Sequence, residues 1–430
     1  MRLTKSHIKE ITWIAAGQAT TFLGGVAGIK ILTNLLTPDQ YGTLALALTF
    51  AVLSQQVWAG PLQQAVNRNV SPYLQSGRLP ELIATGTSVY LGAASILLLI
   101  LISGIFATSF FLHLSAGLQR VLILGALLAA IQPAFELPQG IYVQLRQRRS
   151  VALYQATAAL ARPLAAAALI VTCGANAMWA ILGILLVMLL LAGLQGRHVI
   201  QLSKGGRAST NLAWSLVRFA APYLSWGMLS WGVTAGDRWI LKATTTTAVV
   251  GLYVVAAQLS TIVPRLASQL ISSFVIPILN EIAGFGTEKH RLRRAISMNL
   301  IVIAVVSSLG VIGAIGMAVF GKPLLTLLTG PRYSSAAFGL PWLFAGSTMY
   351  EVGYLCFNIG PLLYQPHAFM VPRIVAYGIT LCLMGLFSLH WGFEGMVSAY
   401  FIGAMVHLSA TGATAIRLYK EVLGRKSQGA

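Results

Sequence analysis

Long hydrophobic stretches alternate with short polar or basic segments along the whole chain. A helix needs about 20 apolar residues to cross the hydrocarbon core of a bilayer, and about twelve stretches of this chain reach that length. The predicted spans are 11–36, 41–65, 82–112, 118–143, 151–173, 177–199, 217–243, 249–276, 295–320, 336–360, 369–389 and 395–416. The pattern therefore predicts an all-α integral membrane protein with about 12 transmembrane helices.

Two neighbouring spans between residues 223 and 272 carry polar side chains on one face. In the first span Tyr223, Ser230 and Asp237 recur every seven residues, and in the second Gln258, Thr261, Arg265, Ser268 and Ser272 recur every three or four. Both spacings place the side chains on a single helical face. A polar stripe that includes an arginine must face protein or water rather than lipid, so these spans predict a polar cavity within the membrane.

Composition supports the membrane assignment and excludes several classes of function. Of the 430 residues 57% are hydrophobic and 9% are charged, with a mean hydropathy of +0.76, whereas soluble domains carry about 25% charged residues. The net charge of +19 is explained by basic cytoplasmic loops, so we expect no nucleic-acid partner. The sequence has no HExxH pair and no GxxxxGK[ST] motif, and we expect no metal, no cofactor and no ATP hydrolysis.

Basic residues concentrate in alternate loops, which predicts the orientation of the chain. One side would carry Arg2, Lys5, Lys9, Arg68, Arg78, Arg146, Arg148, Arg149, Arg197, Lys204, Arg207, Lys289, Arg291, Arg293, Arg294, Arg417, Lys420, Arg425 and Lys426. The loops of the other side hold little beyond Lys322 and Arg332. Cytoplasmic loops collect lysine and arginine, so both termini are expected in the cytoplasm. The outer loops are too short to fold as a catalytic domain, which argues against an enzyme.

The chain also contains a weak internal repeat. The turn LLTPDQYGTLALAL after the first span corresponds to TTTTAVVGLYVVAAQL after the seventh, with Gly42 and Gly251 in equivalent turns. Lys30 precedes the first glycine by twelve residues, and Arg238 precedes the second by thirteen. We therefore predict two six-helix bundles in a parallel pseudo-repeat, as in several transporter folds. The predicted boundaries are 1–202 for the first bundle, 203–212 for a cytoplasmic linker, and 213–430 for the second bundle with a basic tail.

Four stretches carry a resemblance to a known family. They are LLTPDQYGTLALAL, GDRWIL, VGLYVVAAQLS and TGPRYSSAAFGLPWLFAGS. In this order and spacing they resemble the polysaccharide transporter branch of the multidrug/oligosaccharidyl-lipid/polysaccharide exporter superfamily, the bacterial oligosaccharide-lipid flippases. Residue by residue, the resemblance extends to Asp237 and Arg238 of GDR and to Tyr333 of GPRY.

The resemblance implies a fold and a function. Such proteins have two six-helix bundles around a V-shaped central cavity, which opens alternately to the two sides of the bacterial inner membrane. Their substrates are glycans linked to polyprenyl diphosphate, moved across for polymerisation or ligation outside. The implied partners are the lipid-linked glycan, membrane lipid, and glycan polymerase and chain-length proteins.

Two arginines inside predicted spans are the main candidates for contact with the phosphates. A planar guanidinium donates hydrogen bonds in pairs and keeps its charge when partly buried. Arg162 lies near the middle of its span, and Arg265 lies in the polar stripe. The alternatives are a structural pairing of Arg162, for example with Glu136, and a location of Arg265 at the inner interface. The accompanying polar candidates are Gln155, Gln258, Thr261 and Tyr223.

Further candidates lie near the outer ends of spans or are acidic. Lys30 and Arg238 occupy matched positions in the two halves, which favours an outer ring of positive charge over interface anchoring. The carboxylates Glu351, Asp237 and Glu136 are candidates for ion coupling, because a carboxylate inside a membrane either binds a proton or cation or forms a salt bridge. The sequence leaves these two roles open.

Three other functions compete with the flippase hypothesis. A multidrug or toxin exporter of the same superfamily would need an acidic, aromatic cavity, whereas basic residues outnumber acidic ones in these spans. A lipid II flippase of that superfamily usually has fourteen spans. A membrane glycan polymerase or ligase would need a large outer loop to hold its acceptor.

Overall fold

The structure is a computed structural model that describes residues 5–284, 288–363 and 365–424. Every regular element within these ranges is a helix. Contacts divide the chain into two compact units, Met1–Arg238 and Trp239–Ala430. Some residues used above lie outside the described part: Arg2, Arg425 and Lys426, and the side chains of Lys5, Lys9, Ser272 and Lys289.

The first unit is built from nine helices within the described residues. They are α1 (Lys5–Leu35), α2 (Pro38–Ser54), α3 (Gly60–Gln75), α4 (Leu79–Leu112), α5 (Ala116–Gln144), α6 (Arg148–Cys173), α7 (Ala177–Leu202), α8 (Thr210–Ala220) and α9 (Pro222–Trp231). The next helix, α10 (Asp237–Thr244), begins in this unit. Five helices start at a serine, threonine or asparagine cap whose side chain accepts a bond from a first-turn N–H. These caps are Thr37, Ser115, Asn176, Ser209 and Thr246.

The second unit continues with longer helices. Its elements are α11 (Thr247–Ala283), α12 (Lys289–Thr329), a 3₁₀ segment (Pro331–Phe338), α13 (Gly339–Phe357), α14 (Ile359–Leu362), a second 3₁₀ segment (Pro366–Phe369) and α15 (Met370–Gly424). Gly392 interrupts α15 with non-helical backbone at φ 51° and ψ −120°, so this element is two helices that meet at a kink. A positive φ of this kind favours glycine because it has no Cβ.

Eight helices of the described residues are long and apolar enough to cross a membrane. Long apolar faces remain exposed on them, for example at Leu99, Phe110 and Ile312. In a soluble protein such faces would be buried, and in a membrane they meet lipid. The chain is therefore a multi-pass membrane protein.

Small residues allow close packing in the first unit. A Cβ on Gly24 of α1 would lie 2.9 Å from the Cβ of Ala159 on α6. A Cβ on Gly183 of α7 would lie 2.6 Å from the backbone nitrogen of Ala166, also on α6. Without a hydrophobic driving force between helices in lipid, such close backbone approach is a main source of helix association.

Two π-helical turns of the first unit contact each other. Gln55–Ala59 joins α2 to α3, and Gly232–Gly236 joins α9 to α10. The Gln56 side chain donates from Nε2 to Thr234 Oγ1 at 3.0 Å. A Cβ on Gly227 would lie 2.3 Å from the carbonyl oxygen of Gln56, so the backbones touch here. The sequence analysis predicted continuous helices at both places, because a π turn leaves the hydrophobic pattern almost unchanged.

The segment predicted as a linker, 203–212, packs on the start of α4. The backbone N–H of Ser209 donates to Thr85 Oγ1 at 3.0 Å. A Cβ on Gly206 would lie 2.3 Å from the carbonyl carbon of Pro80. This segment is therefore anchored to the first unit over much of its length.

In the second unit α13 packs against α11, α12 and α15. Polar side chains bind its backbone from two sides: Ser260 on α11 donates to the carbonyl of Leu340 at 3.0 Å, and Asn299 on α12 donates to that of Leu355 at 2.9 Å. Both donors are fully buried. Such bonds satisfy polar groups that lipid would leave without partners.

The close contact between α6 and α7 yields a stability prediction. We expect Gly183→Ala to destabilise the protein by about 1–3 kcal/mol, because the new methyl group would overlap backbone atoms that cannot rotate away. Gly193→Ala on the same helix is the matched control: nothing in the described residues lies within 4 Å of its added Cβ, and replacing glycine by alanine in a helix gains up to about 1 kcal/mol. Thermal unfolding in detergent measures both, and equal melting temperatures would contradict the packing.

Candidate functional site

The first unit holds a carboxylate among amides. Glu136 lies on α5 between two prolines, and its Oε1 accepts a bond from Gln132 Nε2 at 2.8 Å. Its backbone carbonyl accepts from Gln63 Nε2 on α3 at 2.9 Å. The second carboxylate oxygen, Oε2, is buried and has no hydrogen-bond partner among the described residues. A buried acceptor without a donor is costly, so this oxygen is poised to take a proton, a cation or a donor from a ligand.

Arg162 faces this carboxylate from α6. The guanidinium donates from Nε to the carbonyl of Ala158 at 2.9 Å and attracts Glu136 electrostatically. No ion pair within 4.0 Å joins the two among the described residues. Arg162 and Gln155 are both half-buried. The structure thus brings Arg162 near Glu136, as the sequence alternative suggested, but without an ion pair, and within the described part of the chain Nε is the guanidinium atom that donates a hydrogen bond.

The remaining candidates of the first unit lie on α1, α9 and α10. Lys30 is exposed near the end of α1, and Tyr223 at the start of α9 is 40% exposed, with its ring centroid 5.9 Å from that of Phe219. Asp237 is buried, and its Oδ1 accepts from the backbone N–H of Arg238 at 2.8 Å. The Arg238 guanidinium donates to the carbonyl of Ala45 on α2 at 3.4 Å, a long bond to the protein's own backbone.

The second unit repeats the arrangement of an arginine near a carboxylate. Glu351 on α13 accepts a hydrogen bond from the Ser268 hydroxyl on α11 and is attracted by Arg265 on the same helix. Glu351 is half-buried and Arg265 is exposed. One turn earlier on α11, Thr261 Oγ1 donates to the carbonyl of Gln258 at 3.4 Å. The polar stripe of α11 therefore faces Glu351, and among the described residues no ion pair within 4.0 Å joins Arg265 to this carboxylate.

A cluster of aromatic and basic residues in the second unit was not predicted from the sequence. Arg373 lies over the ring of Tyr354, 4.8 Å from its centroid. His407 lies near three tyrosine rings, with centroid distances of 5.1 Å to Tyr350, 5.4 Å to Tyr377 and 6.3 Å to Tyr354. An arginine next to a proline, as in RP at 162 and PR at 264, was the signal that could have found Arg373. His407 lies in an apolar stretch of the sequence, which carries no signal of a functional residue.

Known proteins give both a family and a fold. A family model described as a polysaccharide biosynthesis protein matches residues 7–283. An inward-facing MATE family multidrug resistance transporter of the MOP superfamily gives a TM-score of 0.64 at 12% identity over 95% of both chains. The lipid II flippase MurJ, in its inward closed conformation, gives 0.65 at 11% identity over 95% of this chain and 90% of its own. A mutant of the Vibrio cholerae MATE transporter VcmN gives 0.59 at 14% identity over 98% and 97%.

At such low sequence identity, the likeness to these three structures shows the fold alone. No curated protein matches the chain.

The pair in the first unit yields a prediction about coupling. We expect Arg162→Met to cost about 0.5–3 kcal/mol of stability, because it removes the positive neighbour of the Glu136 carboxylate. Glu136→Gln should recover part of that loss in the double variant, since the uncompensated charge is then removed. Thermal unfolding in detergent of the wild type, both single variants and the double variant gives the coupling energy.

Arg197→Met provides the control. Arg197 is exposed on α7 of the same unit, and its effect should add to that of Glu136→Gln without coupling. Strict additivity of Arg162→Met and Glu136→Gln would show that the two charges do not interact.

Proposed function

The chain belongs to the family of polysaccharide biosynthesis proteins and has the fold of MATE transporters and MurJ, and from this premise we propose that it is a flippase. Its substrate is a polyprenyl-diphosphate-linked oligosaccharide, the repeat unit of a cell-surface polysaccharide. The protein moves the glycan headgroup across the bacterial inner membrane by alternating access and catalyses no covalent reaction.

The observation that carries this proposal is one loosely paired arginine in each unit. Arg162 and Arg265 each lie near a carboxylate without an ion pair within 4.0 Å among the described residues. Placing a charge inside a membrane-spanning helix costs several kcal/mol, so such residues usually serve a ligand. A diphosphate needs two or more guanidinium donors, and a direct salt bridge would have occupied them. Glu136 and Glu351 then hold the arginines when the substrate is absent, or couple transport to an ion.

The finer topology belongs to the same proposal. Twelve spans in two six-helix bundles, with both termini in the cytoplasm, are consistent with the helices of the two units and with the basic segments between them. Lys30 and Arg238 would form the outer ring of positive charge, with Asp237 as a local partner. Glycan polymerase and chain-length proteins would receive the substrate outside.

Export of cationic drugs is the second candidate function. The MATE fold and the carboxylates Glu136 and Glu351 support it. Against it, every carboxylate singled out above has an arginine near it, and Arg373 adds a further positive charge to the second unit. A cation would meet repulsion at each of these places.

Clearance of the lipid-linked glycan from the cytoplasmic leaflet tests the flippase proposal. Deleting the gene from its host should leave the glycan protected from a membrane-impermeant oxidant added outside. The wild-type gene should restore access. Arg162→Ala and Arg265→Ala, at equal membrane abundance, should reduce the transport rate about tenfold or more, because removing one partner of a desolvated charged contact costs about 2 kcal/mol or more.

Two exposed arginines serve as controls. Arg197→Ala in the first unit and Arg332→Ala in the second should transport normally. If the glycan crosses at the wild-type rate without the protein, the flippase function is wrong, and export of cationic dyes should then be lost in the same strain. If Arg162→Ala and Arg265→Ala transport the glycan normally and the deletion strain does not, the two arginines are structural.

A further inference from the structure

Helix α13 exposes two side chains among its nineteen residues, Trp342 and Tyr354. Tyr354 is 37% exposed although the residues beside it, Gly353 and Leu355, are buried. Trp342 lies near the other end of the helix, twelve residues away. The exposed ring of Tyr354 is therefore an isolated feature of a helix that otherwise serves as the centre of its unit.

The surroundings of Tyr354 are polar. Glu351 lies one turn before it and Asn358 one turn after it, which places all three on neighbouring positions of one helical face. Glu351 is bonded by Ser268 and attracted by Arg265. A carboxylate one turn from the ring, with an arginine that interacts with it, would be very costly in hydrocarbon. This face of α13 therefore borders water-filled space, and the Tyr354 ring is exposed to the same space.

Neighbouring side chains hold the Tyr354 ring in its orientation. The Arg373 guanidinium covers one face at 4.8 Å from the centroid and also lies 5.1 Å from the Phe357 centroid. The Tyr354 hydroxyl lies 3.5 Å from the hydroxyl of Tyr377. The His407 ring also lies nearby, with 6.3 Å between the centroids, and Tyr354 nevertheless remains 37% exposed. An aromatic surface held in one orientation loses little entropy when a ligand stacks on it.

We propose that Tyr354 is a stacking platform for a sugar ring of the transported glycan, next to a phosphate contact at Arg265. This inference rests on the proposed flippase function and assigns two parts of the substrate to two side chains of the second unit. The apolar C–H face of a pyranose packs on an aromatic ring, while hydroxyls around its edge need hydrogen-bond partners. Glu351 and Asn358 supply such partners on either side of the ring.

The proposal predicts that Tyr354 and Arg265 discriminate between sugar and diphosphate. Two probes separate them: the polyprenyl-linked glycan extracted from the host that lacks the protein, and undecaprenyl diphosphate, which has no sugar. Wild-type protein in detergent should bind the first at least about tenfold more tightly in a native mass spectrometry titration, a difference of about 1.4 kcal/mol. Tyr354→Ala should lose that preference and keep its affinity for undecaprenyl diphosphate, whereas Arg265→Ala should weaken both.

Matched variants test whether the lost preference comes from the aromatic face of Tyr354 or from a change in the fold. Tyr354→Phe and Tyr354→Trp keep an aromatic face and should keep the preference, and Trp342→Ala removes the other exposed aromatic of α13 and should change neither affinity. Tyr354→Leu keeps apolar volume without an aromatic face, so it replaces Tyr354→Ala if that variant unfolds, and it should also lose the preference.

The outcomes separate this inference from the function on which it rests. If the wild type prefers the glycan-linked probe and the Tyr354 variants lacking an aromatic ring do so equally, the platform is wrong and the flippase function stands. A parallel loss of both affinities in those variants would mean that Tyr354 only supports the fold, which also overturns the platform. Failure of the wild type to bind either probe would overturn both proposals.

Discussion

A charge inside the hydrocarbon of a membrane is tolerated only where protein or water covers it, and this constraint organises the structure. Lipid offers no hydrogen bonds, so each charged or amide side chain within a span must face protein or water. Glu136 meets Gln132 and Gln63, and Glu351 meets Ser268. The helices that carry these residues are therefore oriented by their polar faces as much as by their apolar ones.

Close helix packing makes that arrangement possible. Where Gly24 meets Ala159 and Gly183 meets Ala166, the helices approach closely enough that no side chain fits between them. Packing of this kind holds α6 in place on both sides, and α6 in turn carries Arg162 toward α5. Dispersion contacts between small residues thus position a guanidinium that would be destabilising if it faced lipid.

Hydrophobic length and polar periodicity were enough to predict the helical, membrane-spanning class and the polar face of α11 that bears Arg265. They could not predict which helix faces which, because the sequence pattern of a span describes its own faces and not its neighbours. From the sequence, the proximity of Arg162 to Glu136 could be predicted only as one possible pairing among several. The contact of Gln56 with Thr234 depends on two π turns, and a one-residue widening of a helix barely alters a pattern of apolar residues.

The two units have a similar arrangement of charged side chains. In each, an arginine adjacent to a proline lies near a carboxylate on another helix, yet neither pair closes to 4.0 Å in the described residues. A tight buried ion pair would satisfy itself and leave nothing for a ligand. A loose pair keeps each charge partly compensated, and under the proposed flippase function an incoming diphosphate would replace this weak interaction with a stronger one. Under the same proposal, a ligand that binds one conformational state of the protein more tightly than the other would shift the equilibrium toward that state.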